Sequence, residues 1–150
     1  MSSQYSRGRS AERAVVNRLR ELGLYAVRIP LSKGFYVVNH DGSYSICRGD
    51  VAAWTAQGMP IAIEVKRVSK RRRQEGSVHK TIMYRMKNHD DNTLLVVVGR
   101  RAKMSYYTYH KNGNDSLFSM SENEFVREVC RRSRELAQKS GLSCCIIPIV

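Results

Sequence analysis

The stretch GDVAAWTAQGMPIAIEVK, residues 49–66, contains two β-like runs and a turn. Val51 to Thr55 and Ile61 to Val65 are apolar or β-branched, and Gly58 and Pro60 punctuate the connection between them. That is the pattern of an antiparallel hairpin. Pairing Thr55 with Ile61 sets Ala52 against Glu64 and Asp50 against Lys66. Side chains alternate faces along a strand, so Val51, Ala53, Thr55, Ile61, Ile63 and Val65 form a core face. Asp50, Trp54, Glu64 and Lys66 share the opposite one. Asp50 and Glu64 become diagonal neighbours, roughly 7 Å apart between backbones, a spacing that suits one bridging cation. A one-residue slip would scatter them to opposite faces, so the reading depends on the parity of the turn.

Two carboxylates and a lysine on one hairpin can hold Mg²⁺ beside a phosphate and prepare a water to attack it. Glu and Lys two apart on a strand are also the pattern of a solvated face, so the pair needs support from elsewhere in the chain. Composition names phosphate as the partner in kind: 26 Lys and Arg against 13 Asp and Glu give a formal charge of +13. The excess gathers at Arg7 to Arg20, Lys66 to Arg73 and Arg100 to Lys103, patches that attract nucleic-acid backbones. The densest, Lys66-Arg67 followed by Lys70-Arg71-Arg72-Arg73, comes directly after the proposed catalytic strand. A solvated loop or RNA binding would use the same charge. No base-reading motif is visible, in keeping with recognition of shape and backbone.

Upstream, Ser10 to Leu22 reads as a helix, with Ala11, Val15, Val16, Leu19 and Leu22 at helical spacing and Gly23 after the last turn. The stripe of Val15, Val16 and Leu19 is centred on the direction in which Glu12 points. A carboxylate on a core-facing stripe needs a metal, an arginine or another cation nearby. Acidic residues in a first helical turn also answer the helix dipole while still reaching water.

Ser10-Ala11-Glu12-Arg13, Ala26-Val27-Arg28, Ser32-Lys33, Gly49-Asp50-Val51-Ala52-Ala53 and Ile63-Glu64-Val65-Lys66 together resemble the archaeal-type Holliday junction resolvases of the PD-(D/E)XK nuclease superfamily. The resemblance covers roughly the first half of the chain, and the order and spacing of these short motifs are more specific than any one of them. It implies an α/β, restriction-endonuclease-like fold, a mixed central sheet flanked by helices. It also implies a Mg²⁺-dependent nuclease of DNA recombination and repair that resolves four-way junctions by paired symmetric nicks, with Mn²⁺ able to substitute. Asp50 and Glu64, with the Val65 carbonyl, would hold the metal, Glu12 would complete its environment, and Lys66 would position the attacking water. Ser32 would touch the backbone near the scissile phosphate, and Arg13, Arg28 and Lys33 would bind phosphates or brace the site. Arg67, Lys70, Arg71, Arg72 and Arg73 would lead DNA to it. Two symmetric nicks need two active sites, which a homodimer supplies.

In the family the metal-binding aspartate follows the loop serine within a few residues, whereas Gly34 to Gly49 separate Ser32 from Asp50 here. This segment reads as an inserted hairpin closed by Asp41-Gly42, expected to lie beside the active site and contact the DNA branch. Asp41 fits turn chemistry better than metal binding.

At 150 residues the chain is long enough for one domain with a full core, with residues 1–8 expected as a flexible arm. Val78, Ile82 and Met86 mark a short helix, Thr93 to Val98 a buried strand and Met104 to His110 another. Ser121 and Glu124 form a capping box, with Met120 stapling onto Phe125, and open a helix to about Lys139 that turns Phe125, Val129 and Leu136 inward. Leu142 to Val150 is apolar enough for a strand or a partner-binding edge and too short to span a membrane. Without a signal peptide or transmembrane segment, residence inside the cell with the DNA is expected. Cys47, Cys130, Cys144 and Cys145 lack zinc-site spacing and read as buried thiols. His40, His79, His89 and His110 are scattered without ligand or triad spacing. Tyr106, Tyr107 and Tyr109 fit alternating strand packing better than base stacking. The rival functions are a small nuclease of the same fold cutting flaps or duplex DNA, and a non-catalytic nucleic-acid-binding protein.

Overall fold

The computed structural model describes residues 4–30, 33–68, 75–111, 113–140 and 146–148. The order is α1 (Gln4–Glu21), β1 (Tyr25–Arg28), β2 (Phe35–Val38), β3 (Tyr44–Cys47), β4 (Val51–Trp54) and β5 (Ile61–Arg67). It continues with α2 (Glu75–Met86), β6 (Thr93–Val98), β7 (Met104–His110), β8 (Ser116–Met120), α3 (Glu122–Ser140) and β9 (Ile146–Pro148). Six strands form one sheet in the order β1-β4-β5-β6-β7-β8, and β3-β2-β9 form a second. Among the described residues only the β5–β6 pair is parallel, joined through α2, so the main sheet is mixed as expected.

The decisive hairpin is present in a register two residues away from the one expected. Val51 pairs with Ile63, Ala52 with Ala62 and Ala53 with Ile61. The cause lies far along the chain, on α3. Ser133 Oγ accepts from the Thr55 N–H at 3.2 Å and donates to the Met59 carbonyl at 2.9 Å, while the Met59 N–H donates to the Ser133 carbonyl at 3.0 Å. Gly58 makes room: a Cβ there would fall 2.0 Å from Ser133 Oγ. Thr55 is thereby drawn out of the ladder and the connection widens. Because the shift is even, the faces keep their expected parity. Val51, Ala53, Ile61, Ile63 and Val65 bury beneath α1 and α3, with Val15, Leu19, Phe125 and Val129 among their partners.

Helix α1 begins at Gln4 rather than Ser10, so residues 4–8 are helical instead of part of a flexible arm; the segment holds no proline to stop the ladder. Gly23, at φ +92°, ends it in the left-handed region, and Leu24 N–H reaches back to the Leu19 carbonyl. The Ser121–Glu124 capping box opens α3 with both reciprocal bonds formed. Strands β6 and β7 have the expected bounds, whereas β1 and β8 were not anticipated as elements. Tyr106 and Tyr109 are core residues, and Tyr106 packs its ring 4.8 Å from Phe125. On the opposite face, Ile82 and Met86 of α2 pack on Leu95 and Val97. The 34–49 segment is the hairpin expected. Its turn is closed by Asn39 N–H to the Ser43 carbonyl, with Asp41 accepting from the Ser43 N–H. The C-terminal tail supplies β9 on the far side of β2.

Glu122 ties three elements together. It accepts from Arg18 at 2.6 and 3.0 Å and from the Tyr106 hydroxyl at 2.7 Å. The Arg18 hydrogen bond, then that of Tyr106, holds its carboxyl below the ordinary value against a smaller opposing effect of burial. A folded-state value below the unfolded one means stability fully present above the ordinary carboxylate range and lost as pH falls through the lowered value. Glu122→Gln is therefore expected to lower Tm at pH 7, with the gap to the parent protein shrinking in acid. Equal Tm values at pH 7 would show that the tie contributes nothing.

Candidate active site

Gly49 brings Asp50 into place. A Cβ at Gly49 would lie 2.9 Å from the Ile63 carbonyl and 3.1 Å from the Ala62 Cβ, so only glycine lets the chain cross β5 this closely. Asp50 then donates its N–H to that same Ile63 carbonyl at 3.0 Å, and its carbonyl accepts from Ile29 N–H at 2.9 Å, just past β1. Continuing the register sets Asp50 opposite Glu64 itself, where a diagonal had been expected. Asp50 Oδ2 accepts from the Val65 N–H at 2.8 Å, replacing a ladder bond with a side-chain one.

Asp50 and Glu64 are only 9% and 8% exposed. Lys66 Nζ stands 3.7 Å from Glu64 Oε2, and His89 Nε2 stands 3.3 Å from the same oxygen. Burial, the largest influence on Glu64, pushes its carboxyl up. Hydrogen-bonding contacts with His89 and Asp50 and the positive charge of Lys66 outweigh it, leaving the group below its ordinary value. Two buried carboxyl groups facing each other from neighbouring strands repel when both are charged, and a divalent cation would offset that repulsion. Among the described residues no three His, Cys, Asp or Glu side chains are grouped to cage a metal. Two adjoining carboxylates nonetheless fit Mg²⁺, which is usually held by one or two of them together with waters and substrate phosphates.

The other expected residues divide into three groups. Glu12 is neutralised by Arg28, whose Nε lies 3.1 Å from Oε1, and its side chain is 13% exposed. Arg28 pairs across the sheet with Val51, next to Asp50, so this ion pair braces the strand that carries the aspartate. Arg13 is exposed and lines a groove of about 330 Å³ with Arg20 and Arg28. Lys33 is exposed, and Arg67 lines a smaller pocket with Ser10 and Arg101. Ser32, Lys70, Arg71, Arg72 and Arg73 lie outside the described residues, as do Cys144 and Cys145.

His89 is the residue that sequence reasoning missed. It follows α2, 25 positions after Glu64, at no spacing that marks a ligand or a triad. Only the crossover from β5 through α2 to β6 delivers it to Glu64. The basic character of the following strand-to-helix segment gave no signal for it either.

A family model described as archaeal Holliday junction resolvase (Hjc) matches residues 3–107. The chain belongs to the archaeal Holliday junction resolvase family. Members of this family are Holliday junction resolvase nucleases that act on branched DNA. The matched span runs from α1 into β7 and includes Glu12, Asp50, Glu64, Lys66 and His89. Among solved structures, the chain is similar to Archaeoglobus fulgidus Hjc, a Holliday junction resolvase from an archaeal hyperthermophile, at 15% identity. That match covers 81% of this chain and 97% of the other, with a TM-score of 0.47. No curated protein matches. Among the described residues no helix is long and apolar enough to cross a membrane.

The tight crossing at Gly49 makes this resolvase sensitive to one methyl group. Gly49→Ala is expected to displace Asp50 from Glu64 and to slow junction cleavage by on the order of 10²-fold, the loss that a misplacement of about 1 Å brings. Cleavage at the parent rate would show that Asp50 does not depend on this approach.

Proposed function

We propose that this resolvase cuts four-way DNA junctions by Mg²⁺-dependent hydrolysis, acting as a homodimer that makes two symmetric nicks. The observation that supports it is the convergence of Asp50, Glu64 and Lys66, with two buried carboxyl groups facing each other from neighbouring strands and an ammonium beside them. Asp50 and Glu64, with the Val65 carbonyl, would hold the cation, and Mn²⁺ can substitute. Bound there, the metal supplies an acidified water and neutralises charge building on the phosphate.

The chain's own residues do the remaining work. Lys66, 3.7 Å from Glu64 Oε2, holds the attacking water and offsets the negative charge that develops as it adds. The Val65 N–H fixes the Asp50 carboxylate in one orientation. Glu12, neutralised by Arg28, is not grouped with Asp50 and Glu64 and would complete the metal environment only through water. Arg13 and Arg28 take backbone phosphates along the groove they line, for which the planar guanidinium is suited. Lys33, Arg67 and, by their charge in the sequence, Lys70, Arg71, Arg72 and Arg73 would bind further phosphates, Ser32 would touch the backbone near the scissile phosphate, and the β2–β3 hairpin, leading directly into Gly49, would meet the DNA branch. The enzyme works in the cytoplasm, with its DNA.

Incubation with Mg²⁺ and a labelled four-way junction, a flap or a plain duplex tests this reading. Paired symmetric incisions on the junction are expected, with little cutting of the duplex. Asp50→Asn and Glu64→Gln are each expected to abolish cleavage while leaving junction binding largely intact. Cleavage retained by both variants would discredit the proposed chemistry.

A further inference from the structure

Glu64 meets two nitrogen groups, and both approach the same oxygen. Lys66 Nζ is 3.7 Å and His89 Nε2 is 3.3 Å from Oε2. His89 is fixed from behind. Its backbone N–H donates to the Met86 carbonyl at 2.9 Å, and Met86 and Ile82 are anchored against Leu95 and Val97. Leu95 pairs with Glu64 and Val97 with Lys66, so α2 seats the imidazole over the part of β5 that carries the site. Nδ1 is buried, and no partner reaches it. The ring nitrogen with an acceptor in reach is Nε2, so it is the one placed to donate to Glu64.

We infer that His89 is a positioning residue for Glu64, donating from Nε2 to Oε2 so that the carboxylate is held in one rotamer toward the divalent cation. The inference rests on the metal reading proposed above. Groups that hydrogen-bond a ligating carboxylate set its orientation, and their loss typically costs 10–100-fold in metal affinity. Lys66 cannot replace His89 in this task. Its longer contact comes from a flexible side chain, and its charge is also needed by the reacting water. The imidazole is rigid, lies on a different element and has no second partner to serve. Metal affinity would in this way depend on the docking of α2.

The test is Mn²⁺ titration of the full chain, with free ion followed by its paramagnetic resonance signal, for the parent, Asp50→Asn, His89→Phe and His89→Gln. His89→Phe keeps an aromatic ring and removes the donor, while His89→Gln offers an amide donor near the position of Nε2. The parent is expected to bind and Asp50→Asn to lose binding. His89→Phe should weaken Mn²⁺ affinity by about tenfold or more, and His89→Gln should recover most of that loss. In junction cleavage, His89→Phe should raise the metal concentration for half-maximal rate while the rate at saturating metal stays near that of the parent. A merely structural role predicts instead equal loss in both His89 variants, tracking their Tm. Parent-like Mn²⁺ affinity in His89→Phe, or no recovery in His89→Gln at unchanged Tm, would overturn the inference. A parent protein that holds no Mn²⁺, or an Asp50→Asn variant that binds as well as the parent, would bring down the metal reading and with it the role of His89.

Discussion

Two carboxyl groups pressed together inside a protein are the constraint from which the rest of this structure follows. An unpaired buried charge costs several kcal/mol, and here two acids share one place, Asp50 and Glu64, both nearly excluded from water. The chain offsets that cost with a backbone N–H from Val65, the ammonium of Lys66 and the imidazole of His89. None of these removes the mutual repulsion that appears once both groups ionise. A divalent cation does, which makes the pair costly for the fold and useful for binding a metal.

The architecture serves to keep that pair together. β4 and β5 cross closely because Gly49 has no side chain to hold them apart. Their connection is clamped by Ser133 from α3, and the carbonyl of Asp50 is tied to Ile29 at the end of β1. Glu12, on α1, reaches the neighbouring Arg28 and satisfies it without leaving a free charge in the core. Beneath these contacts lies the apolar layer formed by α1, α3 and the inward residues of β4 and β5. Helices α1 and α3 thus each act on this strand pair through one polar side chain held on an apolar base. The chain as a whole carries +13 formal charge, an excess that draws in a polyanion.

Much of this was legible in local sequence, and what was not has a physical reason. The faces of β4 and β5 follow from alternation, which survives any even shift of register; Asp50, Glu64 and Lys66 therefore fall together whether the sum of paired positions is that expected or that observed. The register itself depended on Ser133, some eighty residues away and unremarkable as a serine in a helix. Glu12 announced its need of a cation by lying on an apolar stripe, yet nothing local named Arg28 as the one it finds. His89 was passed over because its approach to Glu64 is made by a parallel crossover, and such connections leave no spacing to read. Strand β8 is short and half polar, with Leu117 and Phe118 flanked by serines, and so lacked the alternation that marks a half-buried strand. Family membership agrees with the motifs of the first half, while the pairing of β9 with β2 required the fold itself.

The most direct test of the central claim is a crystal structure of the protein soaked in Mn²⁺, with anomalous scattering used to locate the ion. The account predicts a single strong peak between the carboxylates of Asp50 and Glu64, within direct coordination distance of both and beside the Val65 carbonyl. A site left without metal at saturating Mn²⁺, or a peak bound elsewhere on the chain, would contradict it.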